Sequence, residues 1–185
     1  MKVIARTTIA EGRWSILREA RFVDNHGQEK TWTYVERRNG QSAVVIVPVT
    51  EETGRILLIR QIRIPFDRVV VEFPAGLIDP GESAEETAHR ELREETGHTG
   101  RIIAISPPVS TSAGISTEVV TMVYMRVSER PAAPQELEGT ERIDVFTLGR
   151  EECGEYLRRA TAEGLLFDAK TYTYLAMIAG EMAAR

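Results

Sequence analysis
The sequence predicts a mixed α/β sandwich, and three features of its 185 residues predict it. Short runs rich in β-branched residues fill much of the chain up to residue 73 and return after residue 100. One helical pattern lies between them, at residues 83–96, and two more helical stretches close the chain. The length suits one domain with a full core and a small appendage.

Near the N-terminus, residues 14–23 and 31–38 flank Asp24-Asn25-His26-Gly27, a turn signal that makes them a hairpin. Strands follow at 43–49, 56–62 and 69–73. The run Val44-Val45-Ile46-Val47 does not alternate, so its strand is expected to be buried on both faces. Ser83-Ala84-Glu85-Glu86 forms a capping box, in which Ser83 and Glu86 satisfy each other's end of the first helical turn. Gly97 can end that helix in the left-handed conformation. Strands at 101–105, 118–127 and 142–146 come next, with an acidic, proline-containing loop at 129–140, and helices at 149–162 and 169–184 finish the chain.

Composition narrows the class. With 42% hydrophobic and 28% charged residues the chain reads as an ordinary globular protein, and no apolar run approaches the roughly 20 residues of a membrane span. Arg6, Glu11 and Arg13 interrupt the start, so no secretory signal is expected there. Cys153 is the only cysteine, which excludes an internal disulfide and fits the cytoplasm. A net charge of −5 offers no field for a nucleic acid. A small anionic substrate must then be held by a metal ion, a few arginines, or both.

The central helix carries the chemistry. Glu91, Glu94 and Glu95 recur at spacings of three and four, on one face within one turn. Their charges repel, and Glu94 and Glu95 fall in the last turn, where the helix dipole already disfavours anions. Ala84, Ala88 and Leu92 make an apolar stripe expected to pack on the sheet and aim the three glutamates outward together. Glu82 adds a fourth carboxylate at the helix entrance, Arg90 can pair with Glu94 one turn away, and Gly76 and Gly81 permit tight backbone in the loop leading in. Such clustered oxygens suit Mg²⁺ or Mn²⁺, which polarise a phosphoryl oxygen and lower the pKa of a bound water. Phosphoanhydride hydrolysis is the chemistry this indicates.

At these intervals Gly76, Glu82, Arg90, Glu91, Leu92, Glu94, Glu95 and Gly97 resemble the Nudix box, with His98 where that family usually has an aliphatic residue. The resemblance runs over nearly the whole chain. It includes Glu11-Gly12-Arg13-Trp14, Thr31-Trp32, Arg60-Gln61-Ile62-Arg63, residues 72–82 and Phe167-Asp168-Ala169-Lys170-Thr171-Tyr172, and it points to the ADP-sugar pyrophosphatases of the Nudix superfamily.

That resemblance implies an α/β/α Nudix sandwich with a mixed sheet over residues 41–185, and an N-terminal β-strand appendage over residues 1–40 that serves dimerisation and nucleotide stacking. It implies Mg²⁺-dependent, or Mn²⁺-dependent, hydrolysis of ADP-ribose or a related nucleoside diphosphate sugar by a cytoplasmic homodimer. The metal falls to the backbone of Ala75 and to Glu91 and Glu95, with Glu94 and Glu82 nearby. Trp14 and Trp32 are expected to sandwich the adenine, with Arg37, Arg63 and Leu77 at the nucleotide and its phosphates. Glu94 and Arg90 join the catalytic set, and Glu141, on the acidic loop, is the expected general base, with Glu118 and Glu138 as competitors. ADP-ribose hydrolases usually have a proline where this chain has Ala113, so GDP-mannose or a broad range of sugar nucleotides is the alternative substrate. A nucleotide-sensing module without turnover is the alternative of a different class.

Overall fold
The computed structural model describes residues 1–139 and 142–183, the side chains of 181–183 excepted. Two sheets build the molecule. The first is an antiparallel ribbon of β1 (Lys2–Glu11), β2 (Ser15–Val23) and β3 (Glu29–Arg37), in that order. Strands β2 and β3 form the expected hairpin, its turn held by Asp24, whose carboxylate accepts from the amides of His26 and Gln28. Strand β1 adds to the predicted elements. Its side chains are almost all exposed, so no apolar face marks it in the sequence.

The second sheet takes β4 (Ala43–Thr50), β5 (Ile56–Arg63), β6 (Arg68–Glu72), β7 (Ala75–Leu77), β8 (Gly100–Ile105), β9 (Val109–Ser110), β10 (Val119–Val127), β11 (Ile143–Leu148) and β12 (Leu166–Phe167). Its main path runs β12-β6-β5-β4-β10-β8, while β11 pairs with β5, β7 with β4 and β9 with β10. The β10–β4 and β12–β6 pairs are parallel and the others antiparallel, so the sheet is mixed.

Helix α1 (Ala84–Thr96) covers one face, where Ala88 and Leu92 are fully enclosed by Val44, Ile46, Val123 and Met125. Helices α2 (Cys153–Ala162) and α3 (Ala169–Ala183) cover the other, where Tyr156 and Leu175 meet Val45, Val47, Leu58 and Phe73. Alternate residues of β4 thus enter opposite cores, which is why its apolar run is unbroken. Enclosing a side chain the size of Leu92 is worth about 1.5–3 kcal/mol, so the stripe on α1 fixes which side of the helix faces the sheet. Both predicted ends of α1 are present: Ser83 Oγ accepts from Glu86 N at 3.2 Å, Glu86 Oε2 accepts from Ser83 N at 2.8 Å, and Gly97 closes the helix at φ +71°.

The segment expected as a loop before α1 contains strand β7, which pairs Ala75, Gly76 and Leu77 with Val45, Val44 and Ala43. Three residues with one glycine among them give no periodic signal. The two sheets are joined by residues 112–118: Val35 N donates to Ile115 O at 2.8 Å, Thr117 N to Val35 O at 3.1 Å, and Trp32 Nε1 to Gly114 O at 2.9 Å. Among the described residues no helix is long and apolar enough to cross a membrane.

Candidate active site
Midway along α1, Arg90 stands among the carboxylates. It donates to Glu82 at 3.0 Å, Glu91 at 2.7 Å and Glu94 at 3.2 Å, and to the carbonyl of Leu77 at 3.2 Å. The expected pair with Glu94 is therefore one of four, a longer one to Asp79 at 3.9 Å included. Hydrogen bonds from Arg90, then from Thr87, hold the Glu82 carboxyl at a pKa of about 2, and the same carboxylates raise that of Arg90, bonding to Glu82 foremost.

Glu91, Glu94 and Glu95 do not project together. Glu95 is buried at 4% exposure and turned to the sheet, where its Oε2 accepts from Ala75 N at 3.0 Å. The reason is helical spacing: Glu95 lies seven residues after Ala88 and three after Leu92, so it continues the sheet-facing stripe. The role of Gly76 also differs from a tight turn. Strand β7 passes so close to α1 that a β-carbon on Gly76 would lie 1.9 Å from the carboxyl carbon of Glu91, so the absence of a side chain makes room for that carboxylate. Gly81, by contrast, does adopt the left-handed region, at φ +95°.

Next to β7 opens a cleft of about 490 Å³, whose wall brings together Ala75, Leu77, Arg37 and Arg63 of the expected site. Each of its cations is held by a carboxylate. Arg37 bonds Glu118 through Nε at 3.0 Å and Nη2 at 2.5 Å, Arg63 bonds Glu72 at 2.5 Å, and Lys170 Nζ bonds Asp168 at 2.8 Å. The Glu72 bond raises the pKa of Arg63 against the opposing effect of its burial. Oriented guanidiniums facing open space suit a diphosphate. Glu118, one expected competitor for the base, is engaged by Arg37 and by the hydroxyl of Thr111 at 3.1 Å.

The two tryptophans lie apart from the cleft and from each other. Trp14 is 68% exposed under the guanidinium of Arg13, and Trp32 is 54% exposed, lining a smaller hollow with Arg6, Tyr34 and Ala113. Glu141 lies outside the described residues. The described part of its loop is tied to the C-terminal end of α1: Glu136 N donates to Glu94 O at 2.8 Å, Gln135 Nε2 to Glu95 O at 2.5 Å, and Ala132 N to Gly97 O at 2.7 Å. The helix's own open carbonyls thus position the loop.

Asp168 and Lys170 join the cleft without having been singled out as site residues. Their local signal is a helix start, since Asp168 Oδ1 accepts from Lys170 N at 3.0 Å and its carbonyl from Tyr172 N at 2.9 Å. That the pair returns to β6 is set by long-range packing, through Asp168 N to Val71 O at 3.0 Å and Phe73 N to Thr171 Oγ1 at 3.0 Å.

The donor set fits a hard divalent cation. Glu82, Glu91, Glu94 and Glu95 are oxygen donors in excess over the guanidiniums that meet them, Arg90 and Arg93, and Gly76 leaves the Glu91 carboxylate against bare backbone. Among the described residues no three carboxylate, imidazole or thiol side chains are arranged to hold an ion; the guanidinium of Arg90 stands among the glutamates instead.

Residues 40–161 match the NUDIX domain. The chain is 35% identical over 184 residues to an ADP-sugar pyrophosphatase of Mus musculus, across 93% of this chain and 84% of that one. It is 31% identical over 170 residues to an ADP-ribose pyrophosphatase of Saccharomyces cerevisiae, across 85% and 74%. Its fold is similar to the crystal structure of an ADP compounds hydrolase, with a TM-score of 0.68 and 24% identity over 85% of this chain and 82% of the other.

Proposed function
Because the chain belongs to the NUDIX domain family and is a hydrolase of phosphoanhydride bonds, we propose that it cleaves the pyrophosphate of ADP-ribose or a related nucleoside diphosphate sugar, releasing a nucleoside monophosphate and a sugar phosphate. The observation that carries this reading is the double role of Ala75, which lines the arginine-bearing cleft and donates to Glu95 of the carboxylate helix. A diphosphate in the cleft would thereby lie against the acidic cluster. The substrate class is supported by the names of the mouse and yeast relatives.

Nudix hydrolases generally need a divalent metal. We assign Mg²⁺, with Mn²⁺ as a substitute, and Glu91, Glu95 and the Ala75 backbone as the groups that would hold it, with Glu94 and Glu82 beside them. When bound, such an ion polarises a phosphoryl oxygen and lowers the pKa of a water. Arg90 positions Glu82, Glu91 and Glu94 through its bonds to all three. Arg37 and Arg63 donate hydrogen bonds to the diphosphate, Leu77 lies at the nucleotide, and Glu141 takes the proton of the attacking water.

Trp14 and Trp32 bind the base across a homodimer. Trp32 lies opposite Ala20 in the ribbon, and Ala20 is six residues after Trp14, which immediately precedes β2. At about 3.4 Å per residue the α-carbons of the two tryptophans stand roughly 20 Å apart in one chain, too far for the two to clasp one base. A second copy brings them together, and residues 1–40 provide the contact. The enzyme works in the cytoplasm, in keeping with its one cysteine, Cys153, which is buried and reduced.

The test is a panel of ADP-ribose, GDP-mannose, UDP-glucose, NADH and nucleoside triphosphates incubated with protein and Mg²⁺, with products separated by chromatography. Fastest release of a nucleoside monophosphate from ADP-ribose is expected. Preferential hydrolysis of triphosphates would overturn the substrate assignment.

A further inference from the structure
Away from the cleft, β5, β11 and α2 border a second, solvent-open cavity of about 370 Å³, and none of its lining residues is shared with the cleft. Arg55 reaches it from just before β5, Arg60 from β5 and Arg159 from α2. Arg60 lies over the ring of Phe146, 4.3 Å from its centre, so the plane of its guanidinium is fixed. Its Nε is buried and makes no hydrogen bond among the described residues, and Arg60 forms no ion pair there, even with Asp144 opposite it on β11. The hydroxyl of Tyr156, a residue only 5% exposed, is likewise buried and without a hydrogen-bond partner. Two unmet buried donors on the wall of one cavity are costly, and one of them belongs to a cation.

The carboxylates nearby do not relieve this. Glu152 is committed to Arg55 at 2.8 Å and to the amide of Gly149 at 2.6 Å, and Glu155 is exposed at the rim. Arg159 meets Glu163 only at 3.8 Å, with both side chains largely in solvent. The wall carries three guanidiniums, Arg55, Arg60 and Arg159, against two carboxylates, Glu152 and Glu155, so cations are in excess there. A water would satisfy the hydroxyl and Arg60 Nε but brings no charge to set against the excess of guanidiniums.

We propose that this cavity is a binding site for a phosphoryl anion, which accepts from Arg60 Nε and the Tyr156 hydroxyl and is flanked by Arg55 and Arg159. A tetrahedral oxyanion offers several strong acceptors at once and fits the volume, as inorganic phosphate or as the phosphate of a monoester. The site stands apart from the cleft, so its occupancy does not depend on which substrate the cleft takes.

The experiment is calorimetric titration of the intact, metal-free protein with inorganic phosphate, ribose 5-phosphate and AMP in separate arms, repeated on R60Q, Y156F and the cleft variant R63Q. Saturable binding that survives R63Q and is weakened about tenfold or more by R60Q is expected, the loss corresponding to one charge-assisted hydrogen bond. Y156F, which removes one oxygen and no fold contact, should weaken it by a smaller factor and should reduce the rise in melting temperature that phosphate gives the wild type. Equal affinity in all arms would mean that the phosphoryl group alone is read, and tighter monoester binding that the attached group is read too. Absence of binding, or binding lost in R63Q and unchanged in R60Q and Y156F, would overturn the proposal.

Discussion
The amide of Ala75 donates to Glu95 Oε2 over 3.0 Å, and that bond ties the last turn of α1 to the wall of the arginine-bearing cleft. Glu95→Gln keeps an oxygen to accept the bond while removing the charge. Turnover should fall by about 100-fold or more, at least the upper end of what outer partners of a metal site cost. The melting temperature should hold or rise, because repulsion at the helix end is relieved. Steady-state rates and thermal melts of the same preparation check both halves.

Gly76→Ala would place a methyl group 1.9 Å from the Glu91 carboxyl carbon, so that carboxylate must swing away. Its side chain is flexible at that end, and the fold should lose only about 1 kcal/mol. Activity should drop far more, toward 100-fold, since a misplacement of about 1 Å in a reacting group has that effect. Urea unfolding and initial rates, read together, separate the two.

Trp32→Ala should raise KM more than it lowers kcat, because stacking on a base remote from the scission is felt equally in ground and transition states. Light scattering at assay concentration should find a dimer. An active monomer would contradict the shared base site, given the roughly 20 Å between Trp14 and Trp32 along one ribbon.

For the general base, Glu141→Gln should lower kcat by about 100-fold or more at saturating substrate and Mg²⁺ with KM little changed. Glu118→Gln should instead raise KM, since Glu118 holds Arg37 at 2.5 Å. Glu138→Gln serves as the control on the same loop. A collapse of kcat in Glu138→Gln with near-normal Glu141→Gln would move the base to Glu138.

His98 gives the stability a pH dependence. Burial pushes its imidazole pKa below the ordinary 6.5, only partly offset by the bond of Nδ1 to the Thr96 carbonyl. The unfolded chain therefore takes the proton first, so stability present above about pH 6.5 is lost as pH falls below it. His98→Leu should flatten that part of the curve, as melting temperatures between about pH 7.5 and 5 would show.

Much of the molecule was legible in local pattern. The capping box at Ser83 and Glu86, the cap at Gly97 and the unbroken run from Val44 to Val47 each state their conformation within a few residues, and the structure places all three as expected. The acidic helix was legible as a site, but its internal geometry was not. Spacing alone puts Glu91, Glu94 and Glu95 on one side, and only the position of the Ala88–Leu92 stripe shows that Glu95 faces the sheet. Strands β1 and β7 escaped because neither has an apolar face of its own: β1 is exposed, and β7 is three residues long and held by β4. The pairing of Lys170 with Asp168 in the cleft, and the cavity around Arg60 and Tyr156, depend on contacts between elements far apart in the chain, for which a single sequence carries no sign.

The most direct test is the rate of AMP release from ADP-ribose by the purified protein with Mg²⁺, with and without EDTA. AMP and ribose 5-phosphate should appear in equal amounts, and EDTA should abolish both. Intact ADP-ribose beside rapid hydrolysis of another nucleotide, or turnover undiminished in EDTA, would contradict the account.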